Sequence, residues 1–125
     1  MLESVQSADA PKAIGPYNQA IRAGDFLFCS GQIPLDPKTG ELVAGDVAAQ
    51  TRRVMENIRA VLAAASATFA NVAKATIYLV DMNDFAAVND VYGSYFSESP
   101  PARSTVAVAA LPRRSRVEIE VIAEL

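Results

Sequence analysis

Three charged residues near the end of this 125-residue chain have the types and spacing to do chemistry together: Arg103, Glu118 and Glu120. Arg103 heads the run Arg103 to Ala109, which is β-branched and small and has no helical period. From Arg116 to Val121 the chain alternates strictly, with Val117, Ile119 and Val121 on one face and Glu118 and Glu120 on the other. Such alternation marks a strand with one buried face. A short Pro-containing break, Leu111 to Ser115, separates the two segments. Strands joined this way are expected to pair as antiparallel neighbours, which would bring Arg103 beside a glutamate. A guanidinium beside a carboxylate is either a structural ion pair or an anion clamp next to a general base.

Composition narrows the chemistry. There is no His, so an acid–base catalyst must be Asp, Glu, Lys, Tyr or Cys. With no His and one Cys, a transition-metal site is not expected. Cys29 has no disulfide partner and lies in an apolar strand setting, so it reads as a reduced core thiol rather than a nucleophile. The net charge of −3 comes from 11 basic and 14 acidic side chains. Basic residues are scattered apart from Arg52-Arg53 and Arg113-Arg114-Arg116. That is no footprint for nucleic acid, and the second cluster reads as a solvated loop. No charged start precedes an apolar run, and no apolar segment reaches about 18 residues, so neither a signal peptide nor a membrane span is expected. These features predict a cytoplasmic protein with a single domain over residues 1–125, half of whose residues (51%) are apolar.

The elements that must position the charged residues can be read in order. Leu2 and Val5 suit a short edge strand, and Ile14-Gly15-Pro16-Tyr17 is a turn. Asn18 to Ile21 and Phe26 to Ser30 form a β-hairpin with Gly24-Asp25 at its tip. Gly31 to Pro34 leaves that hairpin, and Asp36 to Gly40 turns again. Asp46 caps a helix whose apolar stripe is Val54, Ile58, Val61 and Leu62 and whose alanine-rich end reaches Ala67. Ala73 to Val80 is a strand. Asp81 or Asn83 caps a second helix, with Phe85, Val88, Tyr92, Tyr95 and Phe96 as its stripe, ended by Pro100-Pro101. The order β-β-β-α-β-α-β-β predicts an α+β fold, a mixed sheet with both helices packed on one face. Thr105, Ala107, Ala109, Glu118 and Glu120 are expected on the other face. A sheet face so rich in alanine is a poor solvent surface, so other subunits are expected to cover it.

Five blocks carry a resemblance: AIGPYNQAI at 13–21, CSGQIPLDPKTGEL at 29–42, DMNDFAAVNDVYGSYF at 81–96, PPARSTVAV at 100–108 and RVEIEVIA at 116–123. Together, and in this order, they resemble the RidA family (YjgF/YER057c/UK114), from about residue 10 to the C-terminus. The resemblance implies a chorismate-mutase-like fold and a homotrimer with ligand clefts between subunits. It also implies an enamine/imine deaminase that hydrolyses 2-imino acids of the 2-iminopropanoate and 2-iminobutanoate type to 2-keto acids and ammonia. By position, Arg103 matches the arginine that holds the substrate carboxylate. Glu118 matches the glutamate that orients or activates water, and Tyr17 the tyrosine lining the cleft. Ser30, Gly31 and Gln32 match the ligand-contacting strand end, and Asn89 a polar residue of the second helix near the site. Thr105 stands where many members have Cys, and it is counted among the substrate-binding residues.

No cofactor is required for that reaction, because a protonated imine is already an electrophile and the protein supplies positioning and charge. Glu120 shares the face of Glu118, and only the family match prefers Glu118. Asn89 falls on the stripe of Phe85 and Tyr92, as either a buried hydrogen-bonding group or a cleft contact. Two further classes stand beside the enzyme: a non-enzymatic trimeric binder of small ligands or chaperone-like regulator, and an RNA-cleaving protein. The acidic balance and the lack of aromatics interleaved with basic residues argue against the last.

Overall fold

Asp46 opens the longest element of the computed structural model, which describes residues 1–125. Its carboxylate accepts the Ala49 amide at 2.9 Å, satisfying one of the donors that a helix start leaves unpaired. Helix α1 then runs Val47–Ala64, and its stripe of Val54, Met55, Ile58, Val61 and Leu62 is buried. Before it come strands β1 (Leu2–Val5), β2 (Ala20–Ala23) and β3 (Phe26–Cys29). After it come β4 (Val72–Leu79), α2 (Phe85–Gly93), β5 (Ala102–Ala107) and β6 (Val117–Glu124). The expected element order and α+β class are therefore present. No helix is long and apolar enough to cross a membrane.

The six strands form one mixed sheet in the order β1-β2-β3-β6-β4-β5. β2 and β3 are the expected hairpin, closed at Ala23–Phe26 around Gly24, whose φ of 61° lies in the region glycine occupies without strain. Both helices cover one face. Beneath them Ala75, Ile77 and Leu79 of β4 and Val117, Ile119 and Val121 of β6 are at most 2% exposed. Each large side chain among them contributes about 1.5–3 kcal/mol to folding. Cys29 is part of this core, and burial pushes its thiol up to about 12. A thiol so held is not a nucleophile at neutral pH.

Four expectations need correction. The last two strands are not neighbours: β5 pairs in parallel with β4, and β6 pairs antiparallel with β4 and β3. The physical reason is the helix between β4 and β5, a crossover that returns the chain parallel to the strand it left. Second, Thr105 and Ala107 do not share a face with Glu118 and Glu120. Thr105 registers with Ile77 and Ala107 with Leu79 on the helix side, whereas Glu118 registers with Tyr78 and Glu120 with Thr76 on the open side. Third, that open face is not alanine-rich. It presents Phe26, Phe28 and Val106, each more than 40% exposed. Fourth, the 113–116 cluster is not wholly solvated, because Arg116 Nη2 meets Asp84 Oδ1 at 2.8 Å.

Boundaries shift less. β2 begins at Ala20 rather than Asn18, whose carbonyl instead accepts the Ser30 hydroxyl at 2.6 Å. Asp81 caps a single 3-10 turn, Met82–Asp84, that leads into α2.

Candidate active site

Glu118 projects from β6 onto the open face of the sheet, beside an irregularity in the β3–β6 pairing. Phe28 faces Ile122 and Gln32 faces Ile119, so four steps on one segment run against three on the other. The extra residue makes a bulge at the exit of β3, the kind of distortion that re-aims side chains next to functional sites. Gly31 lies in it, and a Cβ there would collide with the Glu118 carboxylate. Ser30 and Gln32 hold the bulge: the Ser30 amide donates to the Gln19 carbonyl at 2.9 Å, and the Gln32 and Ile119 backbones exchange two hydrogen bonds.

The two glutamates, equivalent by spacing, differ in surroundings. Glu120 accepts the Tyr78 hydroxyl at 2.6 Å, which raises the Tyr78 pKa above the usual phenol value. Glu118 has neither an ion pair nor a hydrogen-bond donor in the chain. Burial, and secondarily the charge of Glu120, hold its pKa above the ordinary glutamate value. A half-buried carboxylate with free lone pairs and raised basicity suits a general base. Nearby, Tyr17 is 51% exposed. With Gly31 and Gln32 it lines a cavity of about 270 Å³.

Arg103 lies elsewhere. It stands on the edge strand β5, in register with Ala75 on the helix side, and its Nη1 donates to Asn89 Oδ1 at 2.6 Å. The guanidinium carbon sits 5.6 Å from the Phe85 ring centroid and 5.2 Å from that of Tyr92. Two aromatic faces and one amide thus orient the fork. Two residues along, the Thr105 hydroxyl is buried without a hydrogen-bond partner, as is the Tyr92 hydroxyl. Burial also raises the Tyr92 pKa, against the lowering effect of the Arg103 charge.

The chain therefore brings Tyr17, Ser30, Gly31, Gln32 and Glu118 together, and separately Arg103, Asn89 and Thr105. β4 stands between the strands of Glu118 and Arg103, and Arg103 is level through Ala75 with Val121, three residues along from Glu118, so their backbones are about 14 Å apart. Their side chains leave opposite faces. The expected Arg103–glutamate contact does not form within one chain. Sequence reasoning missed the aromatic cradle of Phe85 and Tyr92, although 85, 89 and 92 follow helical spacing on one face of α2 and that signal was available. It also missed the Tyr78 partner of Glu120, which local pattern could not reveal.

The family described as Endoribonuclease L-PSP matches residues 7–125. A RutC family protein of Pyrococcus horikoshii is 58% identical, over 98% of each chain. The 2-iminobutanoate/2-iminopropanoate deaminase of Capra hircus is 50% identical over 95% of this chain and 87% of its own length. Escherichia coli TdcF, solved with bound serine, superposes with a TM-score of 0.94 at 42% identity, covering 98% of both chains. The chain belongs to the endoribonuclease L-PSP family, the RidA/YjgF proteins.

Proposed function

We propose that the chain hydrolyses reactive 2-imino acids, of the 2-iminopropanoate and 2-iminobutanoate type, to 2-keto acids and ammonia. Its site is completed by two copies within a homotrimer, with Glu118, Gly31 and Tyr17 from one subunit and Arg103 and Asn89 from the next. The observation that carries this reading is the state of Glu118: half-buried, without a donor, raised in pKa and pressed against Gly31. Arg103, ready as a fork for a carboxylate but away from Glu118 in its own chain, supports the sharing of sites. The open face with exposed Phe26, Phe28 and Val106 is a surface that other subunits would cover. The deaminase name of relatives at about half identity, and serine bound to TdcF, point to small substrates with an α-carboxylate.

In the reaction Arg103 binds the substrate carboxylate through two parallel N–H···O contacts. Glu118 accepts a proton from water as its oxygen bonds to the imine carbon and the C=N π electrons move to nitrogen. The tetrahedral carbinolamine formed from the protonated imine takes that proton on nitrogen. Glu118, again a carboxylate, then accepts the carbinolamine hydroxyl proton as the C=O bond forms and the C–N bond breaks, and passes it to the departing ammonia, which leaves as ammonium. Glu118 is regenerated, and neither nucleic acid nor a cofactor takes part. The gain comes from positioning and from charge placed where it develops.

A coupled assay tests this. Threonine dehydratase generates the imine, semicarbazide traps it, and added protein competes. The wild type should suppress semicarbazone formation and Arg103→Ala should not. Failure of the wild type would leave the chain a non-enzymatic binder of small ligands.

A further inference from the structure

The cavity beside Gly31 has a charge pattern that the imine chemistry leaves unused. Its volume is about 270 Å³, and its only charged lining residues are Lys12 and Arg113. Neither side chain takes part in an ion pair or a hydrogen bond within the chain, and no carboxylate lines the cavity to offset them. Ile14, Ile33 and Leu35 contribute apolar lining to the same cavity, which Gly31 also borders.

Both cations project from pinned backbone. Gln19, itself buried, donates its amide to the Pro11 carbonyl at 2.7 Å, which fixes the segment just before Lys12. The buried Ser115 donates its hydroxyl at 2.8 Å and its backbone N–H at 3.1 Å to the Pro112 carbonyl, which closes the turn that carries Arg113. In that turn Arg113 and Arg114 both adopt φ of 58°, left-handed backbone that side chains other than Gly, Asn and Asp rarely occupy. Two consecutive strained arginines, one of them lining a cavity without counter-charge, match the association of backbone strain with ligand sites.

We propose that this cavity is a subsite for a second acidic group, so that the chain accepts dicarboxylic 2-imino and 2-oxo acids, with the distal carboxylate between Lys12 and Arg113. The inference rests on the imine-hydrolysis reading, since Gly31 borders both this cavity and the Glu118 carboxylate. The reaction is unchanged: one water enters and one ammonia leaves. The supplying reaction would be oxidation of an acidic amino acid to its imine, which retains both carboxylates.

Calorimetric titration of the full-length protein with 2-oxoglutarate and with 2-oxobutanoate tests the subsite without turnover. The wild type should bind 2-oxoglutarate about tenfold more tightly, as two charge-assisted contacts allow. The double variant Lys12→Met/Arg113→Met should lose that preference while its circular dichroism spectrum is unchanged. Equal wild-type affinities, or a preference that survives in a folded double variant, would overturn the subsite. In parallel the trapping assay is run with imines from threonine dehydratase and from an aspartate oxidase. Hydrolysis without the binding preference overturns the subsite alone. The preference, lost in the double variant, without hydrolysis of either imine overturns the deaminase reading and leaves the subsite standing.

Discussion

Gly31 and the Glu118 carboxylate compete for one volume: any Cβ at position 31 would overlap the glutamate side chain. The colliding atoms are the far end of a flexible side chain, so Gly31→Ala can fold by displacing Glu118. The expected outcome is a stability loss of about 1 kcal/mol or less with imine hydrolysis reduced about 100-fold, the scale of a misplaced catalytic group. Denaturant melts and the trapping assay read the two effects separately. Near-wild-type activity would show that the carboxylate position is immaterial.

The proposed role of Glu118 as base predicts that its raised pKa sets the acidic limb of the activity profile. If its carboxylate is the base, kcat/KM rises with pH through a midpoint above the ordinary glutamate range. The neighbouring charge of Glu120 contributes to that rise, so Glu120→Gln should move the midpoint down. Glu118→Gln should abolish the limb together with the activity. A carboxylate whose folded pKa is raised contributes stability that is present below its unfolded pKa and lost as pH rises through the folded one. Glu118→Gln should therefore be at least as stable as the wild type at neutral pH, and a clear drop in Tm there would contradict the desolvation on which the assignment rests.

Arg116 leads into the strand that carries Glu118. Its Nη2 lies 2.8 Å from Asp84 Oδ1, and its backbone N–H donates to Gln50 Oε1 at 3.0 Å. Asp84 is 9% exposed and its Oδ2 already lacks a partner, so Arg116→Met would leave the carboxylate uncompensated. A loss of about 2 kcal/mol is expected in denaturant titration. A loss below about 0.5 kcal/mol would place the pair with ordinary surface ion pairs.

Thr105 holds a buried hydroxyl with no hydrogen-bond partner. Thr105→Val should be neutral or stabilising by about 1 kcal/mol, because it removes an unsatisfied group. Hydrolysis should persist, since the water-mediated chemistry needs no thiol at this position, and a raised KM in the trapping assay would mark contact of the hydroxyl with substrate. A Tm lowered by several degrees would mean that the hydroxyl is bonded after all.

Much of this was legible in the chain itself. The alternation of Val117, Ile119 and Val121 with Glu118 and Glu120 assigned both faces of β6 correctly, because large apolar and charged side chains contrast at every step. The 102–107 strand has no such contrast. Its Ala, Ser, Thr and Val residues suit either phase, so pattern could not tell which face Thr105 occupies. Its partner strand was equally hidden, since pairing is decided by the α2 crossover and not by the loop that follows. Glu118 and Glu120 are interchangeable by spacing. What separates them is the Tyr78 phenol, 42 positions from Glu120 in sequence. Resemblance supplied the candidate residues, but that they fall into two groups on opposite faces followed only from the sheet order.

The separation of Arg103 from Glu118 by an intervening strand and opposite faces makes complementation between subunits the most direct test. Arg103→Ala and Glu118→Gln are purified, each expected to be inactive, then unfolded together in equal amounts and refolded. With sites shared between adjacent subunits of a closed ring, random mixing places an intact pair at about a quarter of the interfaces. Imine hydrolysis should return to about a quarter of the wild-type rate. Mixed oligomers, verified by native mass spectrometry, that remain inactive would contradict a site built from Arg103 of one copy and Glu118 of another.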